Sequence, residues 1–206
     1  MEIVPIGDSC SVAYNASLLG YRKIAYPFDW IKTKTLNDVS RLLENHFSNF
    51  FDQLSIVKYS NKFPFSTTDE FPYLINDYSQ IVKNESGILF CHDFRSQLTI
   101  NEQLSMVEEK YNRRITRLYE ILNSGILIHF IRDETKSNSL TPSMIENFLR
   151  VMNKLNINYY LTIISKKIIV QQYRNVKIVN DLLPFGDWMR PNVDWSNVFS
   201  NVFSIQ

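Results

Sequence analysis

Residues 126–164 decide the fold. They read Ile126-Leu127-Ile128-His129-Phe130-Ile131, then a polar stretch into Thr141-Pro142, then Ile145, Phe148, Leu149, Met152 and Leu155 at helical spacing, then Tyr159-Tyr160-Leu161-Thr162-Ile163-Ile164. Two almost unbroken apolar runs flank an amphipathic helix. A strand covered on both faces is apolar throughout, whereas one wet on a single face alternates. Thr141 supplies a capping hydroxyl and Pro142 fits the first helical position. Val176–Val179 adds a third apolar strand. Strand, helix, strand is the pattern of a βαβ unit with a right-handed crossover. The expected class is therefore α/β, a largely parallel sheet with helices on both faces.

Working outward, Leu104, Val107, Tyr111, Ile115, Leu118 and Leu122 predict an amphipathic helix over 102–123 that Gly125 ends. Leu36, Val39, Leu42 and Leu43 predict another over roughly 35–46. At the N-terminus, Ile3, Val4 and Ile6 form a short strand broken by Gly7. Asp8 or Ser9 is placed to cap a helix that starts near Cys10 and stops at Gly20. Residues 21–30 read as an extended piece and a turn. Residues 47–100 are aromatic-rich and mixed, with short strands expected at Ile56–Tyr59 and Gly87–Cys91. No linker or repeat divides the chain, so residues 1–206 read as one domain.

The chain has 206 residues, 45% hydrophobic and 14% aromatic, with 22 basic against 21 acidic side chains. That composition excludes disorder. A formal charge of +1 lacks the excess that marks a nucleic-acid or anionic-membrane binder. No apolar run reaches the ~20 residues that cross a bilayer. The opening Met1-Glu2-Ile3-Val4 has no basic region, so no secretory signal is expected. Two cysteines, Cys10 and Cys91, suit a reducing, cytoplasmic setting rather than a disulfide scaffold.

An open α/β sheet places its ligand at the carboxyl ends of its strands. Gly7-Asp8-Ser9-Cys10, Cys91-His92-Asp93 and Arg132-Asp133-Glu134 are all expected on that edge. A thiol in the first turn of a helix meets unpaired backbone N–H groups, which favour thiolate and lower its pKa. The same groups stabilise an oxyanion. The competing reading of Cys10 is a small buried residue packing helix on strand. His92 is a candidate base, with Asp93, Asp29 or Asp133 to orient it. His129, central in its apolar run, reads as a core histidine. Within Pro27-Phe28-Asp29-Trp30, the aromatics read as anchors, with Asp29 either capping a turn or facing the pocket. Asp187 and Asp194 read as turn residues. Gly7-Asp8-Ser9 also suits a lipase-like hydrolase with a serine nucleophile, but that chemistry needs a histidine near the C-terminus and none follows His129. No metal-ligand spacing, phosphate loop or dinucleotide fingerprint is present, and no cofactor is expected.

Gly7-x-x-Cys10-Ser11-Val12-Ala13-Tyr14, then Leu19-Gly20-x-Arg22 and Tyr26-Pro27-Phe28-Asp29-Trp30, resemble the opening of a family of uncharacterised papain-like cysteine peptidases. The likeness continues through His92-Asp93-Phe94, Arg113-Arg114-Ile115-x-Arg117 and Phe130-x-Arg132. The resemblance implies a cysteine-dependent hydrolase with Cys10 as nucleophile and His92 as base. It also implies an α+β alternative, because papain-like enzymes set the cysteine helix against an antiparallel sheet.

The expected function is a peptidase or amidase acting on a peptide or small-molecule substrate. Cys10, His92 and Asp93 would be catalytic, and Gly7, Asp8, Ser9, Asp29 and Trp30 would line the site. The rival reading is a non-catalytic module that holds an anionic ligand at Gly7–Cys10, or an interaction protein using its aromatic stretch at 47–78.

Overall fold

The expected parallel sheet is the centre of the structure, a computed structural model that describes residues 1–64, 78–183 and 186–200. Strand β1 (Glu2–Pro5) leads into α1 (Ser11–Leu18), then β2 (Ile31–Lys32) and α2 (Leu36–Glu44). Next come β3 (Ser55–Pro64), β4 (Tyr78–Lys83), β5 (Leu89–Arg95) and α3 (Ile100–Leu122). The chain continues through β6 (Ile128–Asp133), α4 (Pro142–Lys154), β7 (Tyr159–Ser165), β8 (Val176–Asn180) and α5 (Trp195–Ser200).

Strands β1, β6, β7 and β8 lie in that order, all parallel. Strands β6 and β7 are buried at every position, as their apolar runs require. One face meets α1 and α5 through Ile3, Val12, Ala16, Ile131, Ile164, Trp195 and Phe199. The other face carries the larger core, in which Phe130, Phe148 and Leu161 pack with residues of α2, α3 and α4.

Between β1 and β6 the chain inserts a second sheet, antiparallel, in the order β2-β5-β4-β3. Sequence reading expected irregular segments at 47–100 and found two of these strands in part, but not β4. The residues of β4 alternate polar with apolar at the ends, and only Gln80, Ile81 and Val82 suggest a strand. Phe50 and Phe51 turn inward onto Phe90 and Tyr111, and Phe47 packs on Phe50, with ring centroids 5.0–5.8 Å apart. These three rings are packed inward, whereas Ile56, Val57 and Tyr78 are exposed; residues 65–77 of the aromatic stretch lie outside the described residues.

Helix ends follow the local chemistry. Thr35 and Thr99 form capping boxes with Asp38 and Glu102, and the Thr141 hydroxyl accepts from the Met144 N–H at 3.4 Å. Gly20, two residues past α1, has φ +75°, a left-handed conformation that glycine adopts without strain.

Two buried polar groups fix the parallel sheet. His129 is fully buried in β6, its Nε2 2.8 Å from Thr162 Oγ1. Burial and the Lys177 charge lower its pKa to about 4. Arg132, also fully buried, donates to the Ile6 carbonyl (2.8 Å), Thr33 Oγ1 (2.8 Å) and the Thr33 carbonyl (3.1 Å), and pairs with buried Glu134.

Because the folded pKa of His129 lies below the ordinary value of 6.5, protonation favours the unfolded chain. Its neutral form supports the fold fully above about pH 6.5. As pH falls toward 4 the chain is expected to lose about 3 kcal/mol on this account, with no further loss below. Urea titrations at pH 7 and pH 4.5 check this, because His129→Gln should remove that part of the difference. Arg132→Met is expected to cost about 3–5 kcal/mol by leaving the Glu134 carboxylate buried without its partner. The same titrations at pH 7 measure it, and the double change Arg132→Met with Glu134→Leu should recover part of the loss.

Candidate active site

The loop after β1 is held by its own sterics. A Cβ on Gly7 would stand 2.4 Å from the Ser9 carbonyl oxygen and 3.2 Å from the Ser9 nitrogen, closer than any side chain tolerates, so only glycine permits this turn. Cys10 follows as the N-cap of α1, with φ −73° and ψ −1° and no side-chain cap hydrogen bond. Of the two capping candidates expected from sequence, Ser9 serves the first N–H of α1 from one residue before the N-cap position, and Asp8 does not cap. Asp8 Oδ2 instead accepts from the Ser137 N–H at 2.9 Å, and Ser9 Oγ accepts from the Ser11 N–H at 3.3 Å. Ser11 donates its hydroxyl to Asp133 Oδ2 at 2.9 Å, which fastens the first turn of α1 to the end of β6.

Cys10 is partly exposed, whereas Cys91 is buried. Burial pushes the Cys10 thiol above its ordinary value, against the opposing charges of Lys32 and Lys136. The lowered pKa expected from the helix N-terminus is thus corrected: desolvation of a thiolate outweighs the partial charges of one turn. Burial pushes Cys91 up to about 12, with Lys32 opposing and Cys10 and Asp93 reinforcing. Both thiols therefore share the field of Lys32. In turn, burial disfavours the Lys32 ammonium, but Cys91, Lys136, Cys10 and Asp8 together hold its pKa up.

Cys91, His92 and Asp93 do not sit at a strand end of the parallel sheet, as expected, but in the middle of β5 in the antiparallel sheet. A strand confined to Gly87–Cys91 would put His92 and Asp93 at its exit. In fact the strand runs on, and the three residues form an irregularity: Gln80 pairs with Phe94 and Val82 with Phe90, so Ile81 faces three residues. Such bulges re-aim side chains and break the simple alternation of faces. Ser79 donates its hydroxyl to the Cys91 carbonyl within this bulge.

His92 is buried with its ring edge-on to Trp30, the centroids 6.0 Å apart. Asp93 accepts from Lys110 Nζ at 2.7 Å and from the Tyr111 hydroxyl at 3.1 Å. Burial raises its pKa, but Lys110, Arg114 and His92 together hold it below the ordinary carboxylate value. Asp29 is nearly fully buried; its Oδ2 accepts from Arg22 Nε at 2.6 Å and the Tyr26 N–H at 3.0 Å. The Arg22 guanidinium in turn lies 5.5 Å from the centroid of the Trp30 ring. Asp29 thus closes the Tyr26–Trp30 turn on an ion pair, and Trp30 joins this cluster to His92. Asp187 and Asp194 accept from the Met189 and Asn197 N–H groups, the turn roles expected of them.

Sequence reasoning missed the cations. Lys110 and Arg114 lie on the buried stripe of α3 with Val107, Tyr111 and Leu118, and a charge falling on an apolar stripe was the available signal. Lys32 and Lys136 carried no signal, because each stands in a short polar stretch that reads as solvated loop.

An uncharacterised protein of Acanthamoeba polyphaga mimivirus is 30% identical over 215 residues, covering 96% of this chain and 96% of that protein. No solved structure matches the chain. Residues 1–165, from β1 through β7, match the family described as "Putative papain-like cysteine peptidase (DUF1796)", and the chain belongs to that family.

Proposed function

We propose that the protein is a thiol hydrolase of peptide, amide or related acyl bonds, with Cys10 as its nucleophile. One observation carries the reading. Cys10 stands at the carboxyl edge of a parallel sheet, at the start of α1, partly exposed and engaged in no capping bond. Placement on such an edge favours ligand contact, and a reactive cysteine needs both access and a positive surrounding. Lys32 and Lys136 supply the charge.

In this reading His92 takes the Cys10 proton as the sulfur attacks the acyl carbon, then returns it to the leaving amine. Water hydrolyses the resulting thioester and regenerates the thiol. Backbone N–H groups at the start of α1 hold the developing oxyanion. Asp93, kept ionised by Lys110 and Arg114, places a fixed negative charge beside His92 and favours the imidazolium formed in the first step. The raised pKa of Cys10 fits a thiol that is deprotonated during attack rather than a standing thiolate. Trp30, against the His92 ring, fixes its plane.

Cys10→Ala should abolish turnover of an acyl or peptide substrate pool while the circular dichroism spectrum and urea midpoint stay within error. His92→Ala should lower turnover by roughly 10²- to 10⁴-fold. Without a substrate, iodoacetamide followed by peptide mass spectrometry should label Cys10 at least about tenfold faster than Cys91, the direction that the partial exposure of Cys10 and the burial of Cys91 favour. Equal, slow labelling of both thiols overturns the reading.

A further inference from the structure

We propose that Arg190 is a positioning residue for Cys10: through Asp133 and Ser11 it fixes the first turn of α1, whose backbone N–H groups meet the oxyanion. The inference rests on Cys10 as nucleophile, and it adds a residue from beyond the stretch 1–165 that matches the family.

Ser11 directly follows Cys10 as the first residue of α1 and is fully buried. Its hydroxyl donates to Asp133 Oδ2 at 2.9 Å. The same oxygen lies 3.5 Å from Arg190 Nε, and the far end of the guanidinium pairs with Asp181. Asp133 ends β6 and Asp181 directly follows β8, with β7 between those two strands in the sheet. The Arg190 side chain therefore spans the carboxyl edge and pins the carboxylate that Ser11 holds. Without the guanidinium, buried Asp133 is short of its counter-charge and turns toward other donors, which frees Ser11.

A second tie reaches Ser11 from the same stretch. Asn15 Nδ2 donates to the Ser11 carbonyl and to the Met189 carbonyl, each at 2.8 Å. One residue earlier, Trp188 meets the Tyr14 ring edge-on with centroids 5.0 Å apart. Residues 188–190 thus form a strap along α1 that acts on both the hydroxyl and the carbonyl of Ser11.

The backbone of the strap is strained in a way that serves this contact. Arg190 has φ +55° and is 5% exposed, a left-handed conformation that a side chain disfavours. Its N–H donates to the Asp187 carbonyl at 3.1 Å, and its carbonyl accepts from Trp195 Nε1 at 3.0 Å. Glycine or asparagine would make this kink with less strain, but neither carries a cation to the two aspartates. Strain held in place by surrounding contacts marks positions where geometry matters to function.

The chemical consequence is selective. A tetrahedral intermediate at Cys10 places negative charge where the first-turn N–H groups point, and donors shifted by about 1 Å lose much of their effect. Displacement of iodide by the same sulfur builds no oxyanion. Loosening the first turn should therefore slow acylation far more than alkylation.

The test compares p-nitrophenyl acetate with iodoacetamide on the full chain, each adduct located and timed by peptide mass spectrometry. In the first reaction the sulfur bonds to the acetyl carbon, the ester C–O bond breaks, p-nitrophenolate leaves with the electron pair, and the thiol proton passes to His92. Arg190→Gln should lower the acylation-to-alkylation rate ratio at Cys10 about tenfold, less than the roughly 10²- to 10³-fold of losing an oxyanion donor outright. Ser11→Ala removes one hydroxyl, leaves both ion pairs in place and should lower the ratio by a similar factor. Adding Arg190→Gln to Ser11→Ala should lower it by less than about twofold more, because the path is already cut. If circular dichroism shows that Arg190→Gln does not fold, Arg190→Lys takes its place. Its ammonium pairs with one aspartate without spanning both, so a loss of about threefold is expected, again absent in the Ser11→Ala background. An unchanged ratio, an equal fall of both rates or fully additive losses leave Arg190 a structural residue only; the positioning role is then overturned and the nucleophile stands. A Cys10 that is alkylated but never acetylated in the unsubstituted protein overturns it too, since no oxyanion site is there to position. Silence of Cys10 toward both reagents overturns the nucleophile itself, and this inference with it.

Discussion

The buried Arg132 guanidinium is the interaction on which the molecule depends. Its donors reach the Ile6 carbonyl at the end of β1 and both oxygens of Thr33 at the end of β2, and its charge is met by Glu134 just beyond β6. One side chain therefore joins the parallel sheet, the antiparallel sheet and the turn that carries Cys10. A guanidinium suits this because its five donors are fixed in one plane and it stays charged when buried. The arrangement is costly to break from either side, since each partner would be left desolvated without its counterpart.

What the sequence disclosed follows from what kind of physics was at work. Continuous apolar runs and a Thr-Pro start are local signals, and they located β6, α4 and β7 within a residue or two. The Gly20 stop and the core role of His129 were local as well. The antiparallel sheet was only partly legible because its strands owe their identity to partners: β4 is organised by Ser79 and Gln80 lying against β5, not by its own alternation. His92 and Asp93 were recognisable as chemistry-bearing residues, yet their position depended on a bulge, and a bulge is a property of the pair of strands. The Cys10 thiol makes the same point in electrostatics. A helix N-terminus is readable from the order of residues, but the desolvation that outweighs it belongs to the packed molecule.

Two charge clusters surround the central edge and differ in depth. Around Asp93, the cations Lys110 and Arg114 arrive from the inner stripe of α3, and Arg114 also acts on Asp29. That cluster is buried, with Asp93, Lys110 and Arg114 all at 4% exposure or less. Around Cys10, the charges of Lys32 and Lys136 act from nearer to solvent, Lys136 being exposed and Lys32 half-buried.

The register of β1 has a consequence for how the protein is made. Glu2 pairs with Ile128, and among the described residues β1 has no other neighbour in its sheet. On a ribosome adding ~5–20 residues per second, the leading strand waits roughly 6 to 25 s before its partner has even been synthesised. In that interval the hairpins of the second sheet, whose contacts are closer in sequence, are free to form. Strand β1 stays unpaired meanwhile, and the Cys10 turn gains its contacts with Arg132 and Asp133 only once β6 has been added.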